Sequence, residues 1–551
     1  MSTENDLHFA ESYVVVREKR RRVPWPLLTV TAVVVLGLYS WWLGPVALVA
    51  PWDNFILLDG GYRIAQGQVP GTDFSNAIGP LVYVLASLGM QMQAVPSFAA
   101  VTYGCLLFLP IATVLAGYVA HRRLPGGYAT GFTVFMALLV ISVRPPGYSP
   151  GTTTYAMLYN KFGWLLYSAL LLAVSVPPRT RRPLADGAAI GLMLGLLAYD
   201  KANFFLMGVL AVVLGLVLRT LAARALAGAA GGFALVVVVF WLGFGIGPVG
   251  YASDVATAFA AQGAGKRLGL LLHSIAYNAP VGALALLVVA GLFWLARRRG
   301  EPARPWRLLV LTLFVLGSSV VISAADSPEK SDLAALAVIP LVLVAALKPE
   351  LPRWSGGDGR RRMPVPLLAG LVLLLVATTA PIAGKDALAL GISAARREVV
   401  AAPPPSQRIA SPHLGDFVVP ADATWQTAYR TASAVPSMLD DGLALLRRHI
   451  RPGDRVVSMS LANPFAFALD LTPATGGPLW WDLGISFDER THPAAEQVFG
   501  EAQWVMVPKL RPGQGCCQDT VEAMTRVYGG YLADNFRLAE STEDWTLLTR
   551  S

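Results

Sequence analysis

The sequence predicts a polytopic α-helical membrane protein, with about eleven transmembrane helices followed by a small soluble α/β domain at the C-terminus. Of its 551 residues, 54% are hydrophobic and only 14% charged, with a mean hydropathy of +0.53. That is more apolar surface than one soluble core hides. Apolar runs recur along the chain with short basic clusters between them, and soluble character returns only after about residue 384.

Residues 1–23 form a polar, then basic tail. The apolar run behind it is longer than a signal-peptide core and lacks a small-residue cleavage site, so it reads as a retained first helix. Further runs long enough to cross ~30 Å of hydrocarbon begin near Pro96, Gly126, Phe162, Leu184, Asn203, Ala225, Pro280, Trp306, Asp332 and Pro364. With the first, which begins near Pro24, they make residues 24–383 a transmembrane region.

The connecting segments 17–22, 122–123, 179–182, 219–224, 297–307 and 348–362 hold 22 Lys and Arg residues. Loops on the other face hold seven: Arg63, Arg144, Lys161, Lys201, Lys266, Arg267 and Lys330. Positive charge retained on one side places the N-terminus in the cytoplasm. An odd number of crossings then places residues 384–551 outside, and the Arg, Ala and Gly richness fits a bacterial inner membrane with a periplasmic C-terminal domain.

That domain opens on a Pro-rich linker at 403–405. Helical periodicity follows over 438–449, with short strands at 455–459, 504–507 and 545–548. Trp480-Trp481-Asp482 invites stacking against a sugar ring. Adjacent strand residues face opposite ways, however, so at least one of the two indoles belongs to the core.

Several function classes drop out. The net charge of +9 sits in loop clusters rather than in a continuous stripe, so no nucleic-acid partner is expected. Three cysteines make no disulfide framework: Cys105 lies in an apolar run, and only Cys516 and Cys517 lie in the soluble part. No P-loop, dinucleotide fingerprint or zinc-ligand spacing is present. No cofactor is expected, and a divalent metal has no support.

The most informative stretch is residues 51–80. From Asp53 to Gln66 the pattern allows a helix of about three turns along the membrane surface, stopped by Gly67, with Phe55, Leu58 and Tyr62 on one face. Asp53 sits at its start, at the outer mouth of the first transmembrane helix. The layout Asp53, Gly67, Pro70, Asp73, Phe74 and Gly79-Pro80-Leu81 resembles the GT-C class of polytopic membrane glycosyltransferases, of the mannosyltransferase and aminoarabinose transferase type. Many members carry a second carboxylate after the first, where this chain has Asn54.

The resemblance implies an inverting hexosyl or pentosyl transferase. It would move a sugar from a polyprenyl-phosphate donor to a glycan or lipid acceptor of the cell envelope, among membrane lipids at the outer face. The acceptor hydroxyl must lose a proton as it attacks, which makes a carboxylate the simplest base. Asp53 is the first candidate and Asp73 the second. On spacing alone Asp53 serves equally well as a helix cap, and Asp73 as ordinary turn chemistry.

The leaving phosphate needs fixed cations. Lys201, held between two apolar runs in Tyr199-Asp200-Lys201, is the sharpest candidate, with Lys161, Arg63, Arg267 and Lys330 beside it. Asn54, Tyr62, Tyr159 and Asn160 are candidates for sugar or acceptor hydroxyls. The alternative readings are a transporter or flippase of lipid-linked saccharides, a polymerase or ligase acting on a diphosphate-linked glycan, and a non-enzymatic scaffold or sensor. Transport is disfavoured because the charges cluster at the ends of the apolar runs rather than at mid-membrane depth.

Overall fold

The computed structural model describes residues 23–180, 182–261, 264–298, 305–325, 332–347, 364–404, 407–426, 430–511 and 518–551. Fourteen helices occupy the described residues up to 395. They are α1 (Trp25–Leu43), α2 (Asn54–Ala65), α3 (Leu81–Gln91), α4 (Ala99–Arg123), α5 (Gly126–Ile141), α6 (Leu158–Ser175), α7 (Pro183–Asp200), α8 (Ala202–Val217), α9 (Ala225–Phe244), α10 (Pro248–Ala261), α11 (Ala264–Arg298), α12 (Pro305–Ala324), α13 (Val338–Leu347) and α14 (Val365–Ala395).

Six of these, α1, α4, α9, α11, α12 and α14, are long and apolar enough to cross a membrane. Their outward faces are apolar: Val30, Val34, Leu38 and Trp41 on α1, and Val239 and Leu242 on α9, are exposed. Helices that hide only part of an apolar surface need a lipid solvent for the rest. This is the architecture of a multi-pass membrane protein. Where helices touch, small residues let backbones meet: Gly187 and Gly191 of α7 lie against Ala225 and Ala229 of α9, and Gly228 and Gly232 of α9 against Leu184 and Ala188. Packing of this small-xxx-small kind substitutes for a hydrophobic driving force within lipid.

Each of the eleven apolar runs expected from the sequence contains a helix, but two boundaries differ. The segment before Pro280 is helical rather than a loop, since α10 and the first half of α11 occupy it. Helix α14 continues twelve residues past 383, because Ile382, Asp386, Ala389, Leu390 and Ser393 recur at helical spacing on its buried face.

Beyond α14 the chain forms α15 (Arg397–Ala401), α16 (Val435–Arg447), β1 (Val456–Ser458), α17 (Phe465–Ala468), α18 (Ala495–Phe499), β2 (Trp504–Pro508), α19 (Gln518–Asn535), β3 (Phe536–Ser541) and β4 (Trp545–Arg550). The strands make one sheet in the order β1-β2-β4-β3. β1 pairs with β2 in parallel, and the other pairings are antiparallel. The strand β3 escapes the sequence pattern because Arg537 and Glu540 interrupt its apolar positions.

This segment shares a hydrophobic core with the helices before it. Phe417 stacks on Phe55 at 4.8 Å and meets Phe98 edge-on, while Leu48 N donates to Val418 O. The Asp416 carboxylate accepts the Phe98 and Ala99 amides at 3.0 and 2.8 Å and the Ser97 hydroxyl at 2.7 Å. These are amides at the start of α4 that no helical carbonyl can satisfy. Asp416→Ala is therefore expected to cost about 1–2 kcal/mol and to expose the 403–430 region to limited proteolysis. Unchanged protection in the variant would show the cap to be dispensable.

Candidate active site

The 44–80 segment is held rigid from three sides. Asn54, fully buried, donates to the Ala50 and Pro51 carbonyls and to Thr154 Oγ1, and its Oδ1 accepts the Tyr155 amide at 3.0 Å. Val49 N bonds Thr153 O, and Thr153 and Thr154 donate their hydroxyls back to Ala47 and Ala50. At the far end Gly79 N bonds Asp200 O. A Cβ on Gly79 would overlap the Tyr199 carbonyl, so only glycine permits that approach.

In this frame Asp53 is singular. Its backbone is already helical, yet its side chain makes no cap hydrogen bond. Among the described residues its carboxylate has neither a hydrogen-bond nor an ion-pair partner. The side chain reaches water, but protein encloses it on the other sides and pushes its carboxyl up to about 6. The water-facing side works against that shift; the upward direction is what bears on proton transfer.

Tyr159, Asn160 and Lys201 come together nearby in the chain's connectivity. Lys201 lies in extended backbone between α7 and α8. Its Nζ donates to Asn160 Oδ1 at 3.2 Å and stands 4.9 Å from the centroid of the Tyr159 ring. The 153–160 segment thus bonds Asn54, next to Asp53, at one end and Lys201 at the other. Within it Met157 adopts φ 59°, ψ 25°, a left-handed conformation that an L side chain adopts only when its surroundings impose it.

The remaining candidates are placed differently. Asn54 has no polar group to spare for a sugar. Tyr62 is buried and donates to Asp470 Oδ1 at 2.8 Å, which fastens α2 to the C-terminal segment. Arg63 is buried too; it bonds Asp59 at 3.0 Å, Gln68 and the Ala474 carbonyl, and lies over Phe74. Neither α2 side chain faces a membrane surface, because α3 and residues 470–480 cover the helix. Asp73 closes the 69–74 turn by accepting the Val69 amide at 2.7 Å, which leaves it bracing the loop.

Lys161 is fully buried and donates to the Ser142 carbonyl, so it presents no charge to a phosphate. It belongs to a set that the sequence did not single out. Arg144 pairs with Asp332 and Asp386, each at 2.7 Å, and Lys385 pairs with Asp332 at 3.0 Å. Arg267 falls within α11, with its side chain outside the described residues, and Lys330 lies outside them altogether.

A second carboxylate also escaped the sequence reading. Gly71, at φ +78°, and Gly250 meet backbone to backbone, with a Cβ on Gly71 only 2.8 Å from Gly250 C. This contact sets α10 against the loop so that Asp254, one turn on, accepts the Asn76 amide at 2.8 Å. Burial pushes the Asp254 carboxyl up to about 6. No local motif marks it, since the contact that positions it is between glycines far apart in sequence. No group of three or more His, Cys, Asp or Glu suited to hold a metal occurs among the described residues.

No family model matches the chain, and no curated protein matches it. Among solved structures it is similar to ArnT from Cupriavidus metallidurans bound to undecaprenyl phosphate. The TM-score is 0.41 and the identity 13%, over 95% of this chain and 97% of that one. It is similar to the apo form of the same protein at TM-score 0.40 and 14% identity, with the same coverage. It is also similar to the archaeal oligosaccharyltransferase AglB from Archaeoglobus fulgidus in complex with an inhibitory peptide and a dolichol-phosphate. That TM-score is 0.33 and the identity 12%, over 87% of this chain and 69% of that one.

Proposed function

We propose that the protein is a membrane glycosyltransferase that passes a sugar from a polyprenyl-phosphate donor to a glycan or lipid acceptor at the outer face of the cytoplasmic membrane. The observation that carries this reading is the Asp53 carboxylate, without a partner among the described residues, in a loop where Asn54, Tyr62, Arg63 and Asp73 are all engaged. A base must be near the acceptor and free to take a proton. Asp53 meets the second condition by geometry, and its raised proton affinity suits the task.

In this reading the acceptor hydroxyl gives its proton to Asp53 as its oxygen attacks the anomeric carbon from the face opposite the phosphate. The bond to the phosphate oxygen breaks with its electron pair on that oxygen, and the configuration inverts. Lys201, already oriented by Asn160 and Tyr159, supplies positive charge to the departing lipid phosphate without reorganisation. A hexosyl or pentosyl donor and a bacterial inner-membrane location, with the N-terminus cytoplasmic, complete the proposal.

The test is transfer of labelled sugar by purified protein in nanodiscs, from a panel of polyprenyl-phosphate sugars to an envelope lipid extract. Transfer from at least one donor is expected, and none from the corresponding nucleotide sugars. In the same assay Lys201→Gln should lower kcat by about 10²-fold, with partial recovery in Lys201→Arg. Full activity in Lys201→Gln would remove this lysine from the site.

A further inference from the structure

The loop, α10 and the C-terminal segment enclose a second recess, apart from Asp53. It is a shallow, open recess with an enclosed volume of only about 20 Å³, lined by Ser75, Asn76, Asp254, Thr257, Trp480 and Ser486, among others. Its polar groups are not a random assortment. One Asp254 oxygen is held by the Asn76 amide, and the other has no partner among the described residues. Trp480 is only 7% exposed, and its indole N–H makes no hydrogen bond. Leaving such a donor buried without an acceptor costs about 1–3 kcal/mol, which a bound acceptor atom would recover.

We propose that this recess is a saccharide subsite. Asp254 accepts hydrogen bonds from ring hydroxyls, Trp480 donates its N–H to a ring or hydroxyl oxygen, the Ser75 hydroxyl donates or accepts, and the Thr257 and Ser486 oxygens, whose protons go to the Ser253 and Asp482 carbonyls, act as acceptors.

The chemistry selects this ligand class. No cation among the described residues lines the recess, and a phosphate or carboxylate would meet Asp254 as a like charge. An apolar chain would strand the carboxylate and the hydroxyls. A neutral polyol satisfies a free carboxylate oxygen, an indole N–H and the Ser75 hydroxyl together. The assignment gives the C-terminal segment a part in recognition, because the pairing of Ser75 with Gly477 and Leu479 brings residue 480 to the recess. It rests on the glycosyltransferase reading for the role of the sugar as acceptor, although binding itself does not require that reading.

Saturation-transfer NMR on the full-length protein in nanodiscs, with methyl glycosides of common hexoses and pentoses and no donor lipid, tests the subsite directly. Saturation transfer to at least one glycoside is expected. It should fall at least fivefold in Asp254→Asn and in Trp480→Phe, which keeps the aromatic wall and removes the N–H. Thr257→Val alters an exposed wall residue with little risk to folding, and should lower the signal as well.

Signal that survives all three substitutions in folded protein, or no signal from any glycoside, overturns the proposal. Glycoside binding that depends on Asp254, in a protein that transfers no sugar from any polyprenyl donor, would sink the donor reading and leave the subsite standing.

Discussion

Replacing Asp53 with Asn is expected to lower sugar transfer by at least about 10²-fold, a loss of about 2.7 kcal/mol of transition-state stabilisation, with folding and donor binding retained. Folding should survive because the Asp53 side chain makes no cap hydrogen bond, so the amide leaves nothing newly unsatisfied. Donor binding should survive because the cation assigned to the phosphate, Lys201, is oriented by Asn160 and Tyr159 and not by Asp53.

The same assignment fixes a pH dependence. The Asp53 carboxyl is raised to about 6, and only its ionised form accepts a proton. kcat/KM should therefore fall about tenfold per pH unit below roughly pH 6 and level off above it. In Asp53→Asn the residual rate should lose that acidic limb. Transfer that persists in Asp53→Asn with its acidic limb intact would return the residue to a structural role and move attention to Asp254.

Arg144→Ala is expected to destabilise the protein by about 3–5 kcal/mol, the largest effect of any single side chain outside the site. Arg144 is 1% exposed, and its guanidinium reaches Asp332 and Asp386 as well as the Pro145 and Tyr148 carbonyls. It thereby joins the end of α5, the 142–148 turn, the approach to α13 and the body of α14. Removing it leaves the buried Asp386 carboxylate with only the Ser142 hydroxyl, and Asp332 with Lys385 and the Gly147 amide.

Arg144→Lys keeps a charge but loses the fork that serves both acids, and should recover only part of the loss. The double variant Arg144→Ala/Asp386→Ala should be less damaged than the sum of its parts, because one stranded charge is removed with its partner. Detergent denaturation followed by tryptophan emission measures the wild type, these variants and Asp386→Ala alone. A cost under about 1 kcal/mol for Arg144→Ala would show that the cluster does not clamp these helices.

Much of this protein was legible in its sequence. Most helix positions followed from runs of apolar residues, because a lipid-facing helix has to be apolar over its full length, whereas the shorter α3 and α10 fell outside the expected runs. The short helix after α1 followed from its periodicity and from Gly67, and three of the four strands from β-branched runs between Pro, Gly and charged residues. Asp53 stood out because the reading rested on its place in a local layout. Lys201 stood out because two apolar runs leave a cation between them little choice of position.

What the sequence by itself left undecided was which polar side chains are spent on structure. Asn54, Tyr62, Arg63, Asp73 and Lys161 have the composition of a binding site. Each is consumed by a partner, local for Asp73 (Val69) and brought from elsewhere in the chain for the others: Thr154, Asp470, Ala474 and Ser142. Asp254 has no local signature, and it meets Trp480 of the Trp480-Trp481-Asp482 run because glycine contacts and the Ser75 pairing bring three distant segments together. A hydrogen bond is satisfied by whichever partner arrives in three dimensions. The sequence determined which groups could do chemistry, and the tertiary structure decided which of them remain available for it.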